Sequence, residues 1–392
     1  MNRRIGNFIL AVIVAAMGTA LNAASNPPTA SAARFAPDGD GSAKGKGKSG
    51  RKRSSKPKKD GPAESGPFAQ GDREKEFIKA LGDEYKIRRT DHFFVLYNAD
   101  EEVVKDFIHR LEQSYKSVHR FVTQQGIKIE YPDQKLPVLF CKDFPEYSRR
   151  SAQLTGSPAP SQAAGLYFRH PYNFSLFYDM SQVDFIKETT QKADKLRQEA
   201  GAAQDRSQKK QKLREAQWYL NQVDQYQQEQ NRSVVQHEVA HQLLFNFHAH
   251  EPKVDNPQWF VEGMATLFEP PPGKSGAGFN VINQGRLGEI RDLLVNVSPD
   301  ELKAFIGNPA PGGGMLSSEG YARSWALTYY LVKRKQKQLP KYFELIKKRS
   351  PKDQITPERD VADFEKCFGK VDATFAKKWS NYIRQLPFRP AQ

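Results

Sequence analysis

The sequence predicts an α+β protein: a small mixed β-sheet carrying one buried active-site helix, followed by a helical C-terminal subdomain. Three observations predict it. Short runs rich in aromatic and β-branched residues alternate with amphipathic stretches between Asp91 and Asp179. A helix with uncharged flanks holds two histidines and a glutamate at 237–241. Beyond Glu269 only helix-start signals recur, with no strand pattern of comparable strength. A chain of 392 residues with 38% hydrophobic and 27% charged residues fits a globular protein with a disordered tail and excludes a membrane bundle.

Arg3 and Arg4 precede an uncharged apolar run at 5–20, and Ala23 and Ala24 follow it. Residues 1–24 therefore read as a secretory signal peptide, too short in its apolar part for the roughly 20 residues that span a bilayer. An uncleaved anchor is the alternative. The expected location is secreted, periplasmic or in the cell envelope. Residues 25–72 form a linker, expected to be disordered. Between positions 34 and 59 it holds ten basic and two acidic residues, a large part of the net charge of +15. No aromatics interleave with its Lys/Arg run, so no specific nucleic-acid partner is expected; it either solubilises or touches anionic envelope polymers weakly.

The N-terminal subdomain spans 73–270. A weak helix is expected at 76–86 and a strand at 91–98 (DHFFVLYN). Val103, Val104, Phe107, Ile108, Leu111, Tyr115, Val118 and Val122 then mark one face of a long helix. His109 and His119 lie on it without a partner at metal-ligand spacing and read as surface or packing residues. A strand at 135–141 and a short helix at 143–153 come next. Segments 165–169 and 174–179 flank a turn-like His170-Pro171-Tyr172-Asn173 and make a hairpin, with 174–179 either an edge strand or plain sheet. Residues 183–232, rich in Lys, Gln, Glu and Ala, read as an exposed helical insertion turning near Gly201. The C-terminal subdomain, 271–392, opens after Pro270-Pro271-Pro272-Gly273. Starts are expected at Ser298-Pro299, Thr356-Pro357 and Asp372. Cys141 and Cys367 are too few for a disulfide framework or a cysteine zinc site, and sequence leaves open whether they pair.

Ser233-Val234-Val235-Gln236 has the form of a capping box, so a helix is expected to begin at Ser233. His237 and His241 are four apart, about 40° in azimuth and ~6 Å along the axis, so both imidazoles can meet one ion. Glu238 stands beside the first. Glu262 is an isolated carboxylate in the apolar PQWFVEGMA stretch, costly there without a cation, and is the candidate third ligand. His248 and His250, just past this helix, read as surface loop residues, with proton donation the alternative. Pro311-Gly312-Gly313-Gly314 reads as a hinge or an ordinary connection.

HEVAH followed by WFVEGMA resembles the gluzincin, or peptidase MA-like, zinc metallopeptidases of thermolysin and aminopeptidase type. The resemblance implies a zincin-like fold, one Zn2+ on His237, His241 and Glu262, and Glu238 as general base. Tyr321, in YARSWAL at 321–327, is similar in placement to a tyrosine that stabilises the oxyanion in several gluzincins. The closing segment from Phe364 to Tyr382 is similar to that of a family of secreted bacterial gluzincin-like domains of unknown function. One departure is clear: where thermolysin-like enzymes have an aspartate that orients the first histidine, this chain has Thr266. The expected activity is secreted, zinc-dependent hydrolysis of peptide or protein substrates. The alternative is a zinc-binding, non-catalytic envelope module.

Overall fold

The computed structural model describes residues 9–13, 68–82, 84–161, 163–270, 278–307 and 316–389. The basic linker up to residue 67, most of residues 1–24, the segment after Pro270 and the glycines at 312–314 lie outside them. The architecture is the expected α+β one. Strands β1 (Ile9–Ile13), β2 (Lys86–Arg89), β3 (Phe93–Tyr97), β4 (Leu136–Cys141), β5 (Ala163–Phe168) and β6 (Phe174–Tyr178) form one mixed sheet in the order β1-β5-β6-β4-β3-β2. β4 runs parallel to β3 and to β6; the β5–β6 hairpin is antiparallel, with Gly165 opposite Phe177.

Both faces of the sheet are covered, which is why β3, β4, β5 and β6 are buried at every position and read as continuous apolar runs. On one face lies α2 (Glu101–Gln125), following α1 (Asp72–Leu81). Its Phe107 ring sits 4.3 Å from Phe140 and 5.2 Å from Phe177. On the other face Phe77 of α1 meets Phe174 at 5.1 Å, and Tyr147 of α3 (Phe144–Thr155) meets Tyr178 at 5.0 Å. Asp100 caps α2 by accepting from the Glu102 amide, and Gly126 ends it at φ 66°, where a side chain would strain.

Two expectations are corrected and one alternative is decided. The 76–86 helix is α1, which starts at Asp72 and stops at Leu81, leaving Lys86–Arg89 to form the short edge strand β2. Of the two readings of 174–179, plain sheet is the one that holds: β6 lies between β5 and β4, and the strand at this edge is β1, which runs antiparallel along β5. The helix that carries His237 and His241 does not begin at Ser233. After α4 (Asp184–Ala202), helix α5 (Arg206–Asn246) runs unbroken for 41 residues from a cap at Asp205. A capping box sets a start only where the residues before it leave the helix. Here Lys, Gln and Glu, good helix formers, continue through it.

Helix α6 (Gln258–Thr266) follows, and the region after residue 271 is helical as expected: α7 (Gln284–Ile290), α8 (Pro299–Gly307), α9 (Ser318–Arg334), α10 (Leu339–Lys347), α11 (Pro357–Phe368) and α12 (Ala373–Arg384). Ser298, Thr356 and Asp372 accept from the amides of Glu301, Arg359 and Phe375. Cys141 and Cys367 are both free thiols, the first buried in β4.

Candidate metal centre

Two close approaches set the site. Where α5 crosses the hairpin, a Cβ on Gly165 would come 2.6 Å from Val234 Cγ1 and 3.0 Å from Glu238 Cγ, so only glycine lets the helix lie this near β5. Gln242, on the same helix, accepts from Ser175 Oγ at 3.0 Å and donates to the Pro137 carbonyl at 2.9 Å, locking the helix to β6 and β4. A Cβ on Gly263 of α6 would come 2.1 Å from Thr328 Oγ1 and 2.6 Å from the Ser324 carbonyl. Tyr321, Ser324 and Thr328 share a face of α9, so this contact carries Tyr321 in beside Glu262.

The predicted ligands converge. His237 Nε2 lies 3.0 Å from His241 Nε2 and 3.1 Å from Glu262 Oε2, and His241 Nε2 lies 3.2 Å from the same oxygen. These three buried residues form a group that could hold a metal ion. A triangle of that size suits an ion about 2.0–2.1 Å from each donor. Glu238 is fully buried on the same helix, and the Tyr321 ring stands 6.1 Å from the His237 ring, edge to face.

Two residues that sequence reasoning missed complete the site. Glu269 Oε1 lies 3.0 Å from His237 Nδ1. Arg286 grips both its oxygens, Nη2 to Oε1 at 2.9 Å and Nε to Oε2 at 3.1 Å, and Asn283 Nδ2 donates to Oε2 at 2.7 Å. The guanidinium also lies 5.3 Å over the Tyr321 ring. Thr266, at the position of the missing aspartate, turns away and donates to the Gly263 carbonyl at 2.8 Å. Glu269 stands seven residues beyond Glu262, past the end of α6, so no helical spacing pointed to it. His250 is also misjudged as a surface residue: it is 1% exposed.

Electrostatics fit a cation. Glu238, Glu262 and Glu269 are all buried carboxylates, and Arg286 pairs with Glu269 alone of the three, so a divalent ion would balance the charge that remains. Burial opposes charge on His237, yet Glu262 and Glu269 overcome it and push its pKa up to about 9. Burial would raise the Glu262 carboxyl, but His241 and His237 hold it down. Glu269 is held down against burial by Arg286 and His237. Burial, then Glu262 and Glu238, push the Tyr321 phenol well up, which keeps it a donor.

Residues 231–353 match a family described as protein of unknown function (DUF1570). That span contains His237, Glu238, His241, Glu262, Glu269, Arg286 and Tyr321, so every residue of the site lies inside the similarity. The chain matches no curated protein.

Proposed function

We propose that this protein is an exported zinc-dependent peptidase of gluzincin type. The observation that carries the reading is the meeting of His237, His241 and Glu262 donor atoms within 3.0–3.2 Å, with the Glu238 carboxylate buried beside them. Two imidazoles and one carboxylate are the donor set of catalytic zinc sites that leave a position open. Zinc there would activate water near neutral pH and polarise a peptide carbonyl.

The chain's own residues do the rest. Glu238 takes the proton of the attacking water and passes it to the leaving amine. Tyr321, kept protonated, donates a hydrogen bond to the oxyanion. Glu269 orients His237. Once cleavage of residues 1–24 removes β1, an extended peptide would pair with the edge of β5 that Ile9–Ile13 otherwise occupies, on the strand whose Gly165 lies against Glu238. Export rests on the charge and apolar pattern of residues 1–24.

The test is hydrolysis of an unstructured protein by the zinc-loaded chain and by Glu238→Gln. The expected variant keeps its zinc and loses turnover by ~10²–10⁴-fold. Tyr321→Phe is expected to lower turnover while sparing zinc. Full activity in Glu238→Gln would remove the general-base role. Zinc bound without any hydrolysis would favour the non-catalytic envelope module.

A further inference from the structure

The two histidines of the trio are held unequally. His237 Nδ1 lies against Glu269, whereas His241 Nδ1 is buried and has no hydrogen-bond partner among the described residues. An imidazole that turns Nε2 toward a metal carries its proton on Nδ1, and such histidines almost always donate it to an acceptor.

A second buried group nearby is also unsatisfied. Neither ring nitrogen of His250 has a hydrogen-bond partner among the described residues, nor does Asn256 Oδ1. The His250 amide donates to the Leu244 carbonyl at 3.0 Å, which folds the loop back onto the metal helix. Its ring lies 5.3 Å from Phe245, one turn beyond His241, and 5.4 Å from Phe260, two residues before Glu262. The Phe343 ring, at 5.5 Å, adds a third wall. An apolar enclosure of this kind would suit phenylalanine. Burial, with His241 the next influence, lowers the His250 pKa to about 3. At neutral pH His250 is therefore uncharged, with one donor and one acceptor nitrogen.

We propose that His250 is a positioning residue for His241, the two joined by one ordered water. The His241 Nδ1–H donates to the water, the water donates to one His250 nitrogen, and the other His250 nitrogen donates to Asn256 Oδ1. This single chain satisfies all four buried atoms, and a water with polar partners on both sides is a stable interior component. It makes His241 a directed ligand, as Glu269 does for His237. The inference rests on the reading that the trio holds zinc.

The test is the zinc dissociation constant, by chelator competition, for the full chain and for His250→Phe and His250→Gln. His250→Phe is expected to fold, because the site is aromatic, and to bind zinc ~10–100-fold more weakly. Glutamine, which both donates and accepts, is expected to restore most of the loss. His250→Phe binding as tightly as the parent would overturn the proposal while leaving the zinc site intact. A parent chain that binds no zinc would overturn both. Should His250→Phe fail to fold, exchange of the His241 ring N–H in the zinc-loaded parent decides. Slow exchange supports the water link, and exchange as fast as that of a surface imidazole sinks it.

Discussion

Glu269 decides which nitrogen His237 can offer. With Oε1 against Nδ1, Nε2 is turned toward His241 and Glu262, and Arg286 keeps the carboxylate from rotating. Glu269→Gln keeps an acceptor but removes the charge that Arg286 answers most closely, leaving the buried guanidinium with Glu289 at 3.4 Å as its carboxylate partner. The expected result is zinc affinity lower by ~10–100-fold and a less stable fold. Chelator competition measures the first; an unchanged constant would mean that His237 is oriented by other groups. His237, Glu238, His241 and Glu262 were legible in the sequence because helical spacing and an isolated carboxylate in an apolar stretch are local signals. Glu269 and Arg286 were not. They lie 32 residues from His237 and 17 from Glu269 respectively, and the turn after Thr266 rather than any period brings them together. His250 was hidden for the same reason: only the return of its loop onto Leu244 buries it.

At the level of elements, the interior strands were readable because sheet buried on both faces selects unbroken apolar runs. Lys86–Arg89 escaped notice because three of its four residues are charged, as suits an edge. The capping motif at Ser233 misled because a cap is a local option, and the long α5 helix, about 60 Å by its rise per residue, overrides it. One element contact has a pH signature. Glu146 of α3 accepts from Tyr85 Oη, from Arg150 Nε at 2.8 Å and from Arg149 Nε at 3.0 Å, joining α3 to the chain entering β2. Burial alone would raise its pKa; these hydrogen bonds overcome it and lower the value to about 2. A carboxylate depressed on folding adds stability that is complete above its unfolded value near 4.5 and is lost as pH falls through about 2. Glu146→Gln should therefore melt below the parent at neutral pH. The gap should close between pH 4.5 and 2. Melting curves across that range check it, and a gap independent of pH would assign the loss to packing instead.

Across the whole molecule, the candidate metal centre lies where the sheet-packed helix α5 meets the helices that follow it. His237 and His241 come from a helix locked to the sheet, Glu262 from α6, and the groups that steady them from α7 and α9. The order of strands and this convergence depend on contacts between distant parts of the chain, which no local pattern encodes; the α+β division did appear in the sequence, because strand-like runs stop after Asp179. Zinc that binds only the folded chain adds stability by mass action, about 4 kcal/mol at a free concentration a thousand times its dissociation constant. For a chain of this size the melting temperature should rise on the order of 10 °C. Because the donors come from both α5 and α6, removing one donor should uncouple metal from fold. Glu262→Ala is therefore expected to lose most of the zinc-induced shift, and chelator should return the parent, but not the variant, to a lower melting temperature. Calorimetry with zinc and with chelator measures both. Equal shifts in parent and variant would mean that the ion responsible binds elsewhere, and no shift in the parent would mean that the buried trio is held together by its own ion pairs alone.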